Sequence, residues 1–88
     1  MNKLFSQTGW DDFMAWVRED RKIAKKIHTL LKDIERNGNE GIGKPEPLRH
    51  DLAGYWSRRI TEKDRLIYRF DETTIYIAAC KGHYDDER

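Results

Sequence analysis

Apolar residues recur at helical spacing twice in the first half of the chain and at strand spacing three times in the second half. Trp10, Phe13, Met14 and Val17 stand at i, i+3, i+4 and i+7, the stripe of an amphipathic helix within "TGWDDFMAWVRED". Thr8 is its expected N-cap, with Asp11 and Asp12 as the first-turn acids that a helix dipole favours. Trp16 falls partly off the stripe, toward the neighbouring helix. Ile23, Ile27, Leu30, Leu31 and Ile34 repeat the spacing over 20–37, with lysines on the opposite face. Asn37 and Gly38 stop that helix, because both tolerate the left-handed C-cap conformation. The tight join predicts an antiparallel helical hairpin. "KLFSQ" before it reads as a first strand. After it, 38–54 holds both prolines and three further glycines and reads as a long, partly ordered loop. "YWSRRI" (55–60), "RLIYRF" (65–70) and "TIYIAAC" (74–80) are rich in aromatic and β-branched residues, with "TEKD" and "DETT" as turns. The fold class is therefore α+β in the order βααβββ, a twisted, antiparallel-rich sheet with the two-helix hairpin packed on one face. Alternation sends Leu66, Tyr68 and Phe70 toward the helices and Arg65, Ile67 and Arg69 away from them. Arg59 joins Arg65 on the open face only if the connecting loop has an odd count, since a one-residue change of register moves a side chain to the other face.

Length limits what this architecture can hold. A chain of 88 residues predicts one domain, over 1–84, with 85–88 as a short acidic tail expected to be disordered. A domain of this size has one thin core, so a dimer would add to its stability. No apolar run approaches the roughly 20 residues of a membrane span, and "MNKLFSQTGWDD" shows no signal peptide. Cys80 stands alone, which excludes an internal disulfide and a thiolate zinc cluster and fits a reducing cytoplasm.

Charge distribution says more than net charge. With the chain at +1 and Asp85, Asp86, Glu87 and Arg88 together at −2, residues 1–84 carry +3. Bases gather in 21–36 (Arg21, Lys22, Lys25, Lys26, Lys32 and Arg36) and again in 44–69. Such patches attract polyanions. On charge alone, a solvated helix face with scattered strand arginines paired to acids is the simpler reading. Lys22, Lys25 and Lys26, facing away from the core, are the candidates for contact with such a polyanion.

Three elements carry candidate chemistry. In "GKPEPLRH" Glu46 lies between two prolines, and both Lys44 and Glu46 precede a proline. Proline restricts itself and the residue before it, so "KPEP" reads as a stiff, extended strip. A carboxylate so held suits a general base, and taken alone it is more simply a surface residue in a proline-rich turn. His83 and Tyr84 follow the last strand. The histidine can move a proton near neutral pH and the tyrosine can stack on a base. Arg49, Arg58, Arg59 and Arg65 form the third element, matched to phosphate oxygens or to Asp51, Glu62 and Asp64. Cutting RNA without a metal needs a base for the 2′-hydroxyl, a cation for charge on phosphorus and an acid for the leaving 5′-oxygen. Glu, Arg and His can fill these roles. No metal-ligand spacing, phosphate loop or nucleophile elbow competes, so neither metal nor cofactor is expected.

"GWDDFMAWVREDRKIAKKIHTLLKDIERN", "GKPEPLRHDLAGYWSRRITEKDRLIYRF" and "IYIAACKGHY" together resemble the YoeB family of bacterial toxin–antitoxin toxins, within the wider RelE/ParE superfamily. The likeness runs from about residue 2 to residue 84. It implies a ribosome-dependent endoribonuclease acting on messenger RNA in the A site, a homodimer, and neutralisation by a YefM-type antitoxin through which alone operator DNA is bound. Residue by residue it implies Glu46 as general base, Arg65 and Arg59 as phosphate and transition-state contacts, His83 as general acid and Tyr84 as a substrate-positioning group. Arg49 and Lys44 are implied as further phosphate contacts. The alternative on the same scaffold is a non-catalytic, ParE-like inhibitor of DNA gyrase, which has no need of the Glu46 and His83 pair. A third reading is an RNA-binding module without chemistry.

Overall fold

The computed structural model describes residues 1–82. Strand β1 (Asn2–Phe5) passes into helix α1 (Gln7–Glu19) through Ser6, whose Oγ accepts from the Gly9 amide at 3.0 Å. The cap is thus Ser6, not Thr8, and Asp11 and Asp12 lie beyond the first turn. The reason is tertiary. Ser6 donates from its amide to the Ile77 carbonyl at 2.9 Å and from Oγ to the Ala78 carbonyl at 2.8 Å, so docking of β1 sets where the helix begins. Asp20 alone joins α1 to α2 (Arg21–Asn37). Its amide donates to Trp16 O at 2.8 Å, and its carboxylate accepts from the Lys22 amide at 3.1 Å. Gly38 ends α2 with φ 64°, donating to Ile34 O.

Strands β2 (Glu46–Pro47), β3 (Trp56–Arg59), β4 (Arg65–Phe70) and β5 (Thr74–Ala79) follow, with one 3-10 turn among the described residues at His50–Leu52. The sheet runs β1-β5-β4-β3-β2, with β1 parallel to β5 and the other pairs antiparallel. β2 adds a fifth strand to the four expected. It can contain Pro47 because it lies at the sheet edge, where a missing ladder donor is tolerated.

The helices cover one face. Ile27, Leu30, Leu31 and Ile34 of α2 pack on Leu66, Tyr68, Ile75 and Ile77 of the sheet. Phe13 and Trp16 of α1 close the side of that core, but Trp10 does not, being 46% exposed. α1 turns Gly9 to the sheet instead. A Cβ there would stand 2.5 Å from the Ile77 carbonyl oxygen, so the helix backbone lies almost directly on β5. Trp10 packs edge-on to Phe5 at 5.6 Å, beside the sheet. Trp16 packs on the core that α2 and the sheet share, donating from Nε1 to Cys80 O at 2.7 Å.

The opposite face is partly covered too. Leu48, Ile67 and Ala79 are buried there under Leu52 and Tyr55 of the loop that follows β2. A bulge opposite Ile67 and Tyr68 pairs Ile67 with Ala79 and Tyr68 with Ile77, leaving Ala78 extra. The bulge reverses the alternation of β5. Ala79 thereby meets the outer cluster and Cys80 the helix-side core.

Candidate functional site

Register decides which side chains can meet. Arg59 is paired directly with Arg65 across β3 and β4, joined by the five residues 60–64. Directly opposed residues share a face, so the two arginines stand side by side. Glu46 pairs with Ser57, and Ser57 pairs with Ile67. Glu46, Arg59, Arg65 and Ile67 therefore all project to the face away from the helices. From strand spacing and rise, the Glu46 Cα lies about 8 Å from that of Arg59 and about 12 Å from that of Arg65. Side chains of these lengths can converge on one phosphodiester from those positions.

Each of the three is held differently. Glu46 is exposed, and its backbone is set by pairing with β3 as well as by its prolines. The strip is not extended throughout, because Lys44 has φ 52° in the left-handed region despite preceding Pro45. The reason is the hydrogen bond that Arg59 N donates to Gly43 O at 2.7 Å, which ties the chain to β3 just before Lys44. Lys44 is exposed and follows directly on the Gly43 that the Arg59 amide binds. Arg65 is half-buried and anchored through Nη1, which donates to the carbonyls of Thr61, Glu62 and Asp64 at 2.9–3.1 Å. Arg59 is exposed. Arg49 is exposed at the start of the 3-10 turn, after buried Leu48. Lys22, Lys25 and Lys26 are exposed on the first turns of α2.

The chain end described returns to this site. Gly82 N donates to Asp64 Oδ1 at 2.7 Å, and Arg65 N donates to Gly82 O at 2.9 Å. Gly82 has φ 104°, a conformation that glycine alone adopts without strain. α1 supports the approach: Asp12 Oδ2 accepts from Cys80 N at 2.9 Å, and Lys81 bonds Glu19 at 2.9 Å while lying over the Trp16 ring. His83, Tyr84 and the acidic tail 85–88 lie outside the described residues.

Arg58 does not belong to this surface. It is paired with Leu66, points to the helix side and is 0% exposed. Its ion-pair partner is Asp33 of α2 at 2.6 Å, none of the acids expected from the sequence. The Arg58 hydrogen bond holds the Asp33 carboxyl below its usual range. Burial raises the Tyr68 hydroxyl beside it, against the opposing pull of Arg58. Burial also pushes the Cys80 thiol up to about 12, so the one cysteine is a packing residue. Sequence reasoning missed the roles of Asp33 and Tyr68. The adjacent arginines of "SRRI" were the available signal, since neighbours on a strand face opposite ways.

Comparison with known proteins follows the same lines. The family model described as YoeB-like toxin of bacterial type II toxin–antitoxin system matches residues 5–84. Toxin YoeB of Escherichia coli (strain K12) is 50% identical over 84 residues, covering 96% of this chain and all of that protein. A YoeB dimer from Staphylococcus aureus superposes with TM-score 0.90 at 49% identity, covering 96% of this chain and 98% of that one. A YoeB–YefM complex from the same organism gives TM-score 0.89 at 48% identity with the same coverage.

Proposed function

The chain belongs to the YoeB-like toxins of bacterial type II toxin–antitoxin systems, and from that premise we propose that it is a ribosome-dependent endoribonuclease that cuts messenger RNA in the A site. The observation that carries this reading is the placement of Glu46, Arg59 and Arg65 on one sheet face, two adjacent strands supplying the arginines and the next the carboxylate. Glu46 takes the proton of a ribose 2′-hydroxyl. The 2′-oxygen forms a bond to the adjacent phosphorus while the bond from phosphorus to the 5′-oxygen breaks. His83 gives its proton to that leaving oxygen, so the products are a cyclic phosphate and a 5′-hydroxyl. Arg65 and Arg59 stabilise the charge that builds on the phosphoryl oxygens. Arg65 is preorganised by its carbonyl anchors, which among the described residues hold one nitrogen of the fork and leave the others to the substrate. Tyr84 positions the substrate, and Lys44 and Arg49 contact neighbouring phosphates. The return of Gly82 to Arg65 and Asp64 supports the roles of His83 and Tyr84, which follow it directly in the chain.

The same reading assigns Lys22, Lys25 and Lys26 to ribosomal RNA, a homodimer as resting form, and a YefM-type antitoxin as the neutralising partner that carries the pair to operator DNA. The solved dimer and the solved YefM complex of similar toxins support the homodimer and the antitoxin. Action on ribosomes places the protein in the cytoplasm. Residues 1–84 serve as one toxin domain, with 85–88 as a tail. The test is primer extension on programmed ribosomes carrying a defined A-site codon, beside free messenger RNA and beside the Glu46→Ala and His83→Ala variants. Cuts in the A-site codon that require both ribosomes and the unaltered protein are expected. An absence of cuts, with gyrase inhibited instead, would replace this reading with the ParE-like one.

A further inference from the structure

We infer that Arg58 is a positioning residue: its buried guanidinium is the template on which loop 38–43 folds, and that loop delivers Glu46 to the phosphate-binding arginines. The inference rests on the proposed reading of Glu46 as the base.

A guanidinium has five N–H donors in a rigid fork, and Arg58 uses all of them. Nε donates to Tyr68 Oη at 3.2 Å, Nη1 to Asp33 Oδ2 at 2.6 Å and Ile42 O at 3.0 Å, and Nη2 to Gly38 O and Glu40 O, both at 2.7 Å. Three of the acceptors are alternate carbonyls of one irregular loop. That loop has no sheet ladder or helix to satisfy them, and a part-buried carbonyl turned inward without a donor is costly. The fork does for the loop what a neighbouring strand does for a strand. Asp33 completes the cradle by accepting from Ile42 N at 3.1 Å. The fit is close, since a Cβ on Gly41 would lie 2.0 Å from Asp33 Oδ2.

The link to the site is direct. Three consecutive residues of β3 hold the segment that carries the base. Arg58 holds the loop through its side chain, Arg59 holds Gly43 through its amide at 2.7 Å, and Ser57 pairs with Glu46. β2 is only two residues long, too short to keep its place by pairing alone. A lysine at 58 has three donors and no fork, so it cannot reproduce the cradle. A saturated fork on the helix side also has no donor left for phosphate, which separates Arg58 from Arg59 despite their adjacency.

The test uses the full chain with Arg58→Lys, and Tyr68→Phe and Asp33→Asn as milder variants should the first fail to fold. Two readouts are taken. Amide hydrogen exchange compares 40–46 with the core amides of 27–31. Single-turnover cutting on programmed ribosomes separates the maximal rate from the half-saturating ribosome concentration. The expected result is exchange in 40–46 faster by about tenfold with the α2 core unchanged. The maximal rate is expected to fall about 10- to 100-fold, the effect of misplacing a reacting group by about an ångström, with half-saturation little changed. A purely structural role would instead lower the folded fraction and leave the rate per folded molecule intact. Unchanged exchange in 40–46 overturns the template, and an unchanged maximal rate with a loosened loop overturns its catalytic consequence. If the unaltered protein cuts nothing, the proposed function fails on its own, and the exchange data still decide whether Arg58 orders the loop.

Discussion

Replacing Gly9 by alanine sets two known effects of opposite sign against each other. Within an exposed helix the change is favourable by about 1 kcal/mol, because alanine loses less backbone entropy on folding. Gly9, however, is buried against β5, and the new Cβ would stand 2.5 Å from Ile77 O, 3.3 Å from the carbonyl carbon and 3.4 Å from Cγ2 of the same residue. Two of these are backbone atoms in the middle of a sheet, held by pairing to both β1 and β4. They cannot rotate away as a side chain would, so α1 must lift by about 1 Å to restore ordinary contact. Overpacking costs about 1–3 kcal/mol, and a clash at 2.5 Å with backbone that cannot rotate away falls in the upper part of that range, about 2–3 kcal/mol. The helix gain offsets part of it, leaving a net loss of about 1–2 kcal/mol. For a domain of this size, 1 kcal/mol moves the melting temperature by about 4–8 °C, so Gly9→Ala should melt about 5–15 °C lower. The assay is thermal unfolding by circular dichroism, with exposed Thr8→Ala on the same turn as control. A melting temperature equal to or above that of the unaltered protein would refute the close approach of α1 to β5. Displacement of α1 also disturbs Asp12 and Trp16, which hold Cys80 by its amide and carbonyl. The proposed cutting activity should therefore fall further than the folded fraction does.

Asp33 has its folded pKa lowered, chiefly by the hydrogen bond from Arg58. Its stabilising contribution is thus complete above its unfolded value near 4 and is lost as pH falls through the lower folded value. Asp33→Asn should give a shallower loss of stability in urea between pH 5 and acid than the unaltered protein, and equal slopes would count against the pairing. The Cys80 thiol, raised to about 12 by burial, should resist iodoacetamide at pH 8 until the protein unfolds; rapid native-state labelling, followed by mass spectrometry, would contradict its burial. Replacing Lys22, Lys25 and Lys26 together by glutamine should weaken ribosome binding and flatten its dependence on salt, with antitoxin affinity mostly kept. Unchanged ribosome affinity in sedimentation would remove α2 from the ribosomal contact.

Much of this protein was legible in the order of its residues. The α2 stripe, the Gly38 stop and the inward set Leu66, Tyr68 and Phe70 follow from periodicity, because a 3.6-residue or two-residue repeat must put its apolar side on a core. The family was legible too, since "GKPEPL", "GYWSRRI" and "RLIY" are specific strings. What periodicity could not supply is anything set by the meeting of distant segments. Ser6 rather than Thr8 caps α1 because β1 docks on β5. Gly9 rather than Trp10 faces the sheet because β5 leaves no room for a side chain there. The bulge at Ala78 sends Cys80 to the core, and an insertion in a ladder leaves no mark on the pattern of one strand. The two arginines of "SRRI" look alike in sequence. Only the five-residue turn, the pairing of Arg59 with Arg65 and the presence of Asp33 behind β3 decide that one faces solvent and the other is sealed inside. A side chain's local neighbours determine its element and its face, and the partner that satisfies a buried charge is determined by which distant segment the fold places opposite it.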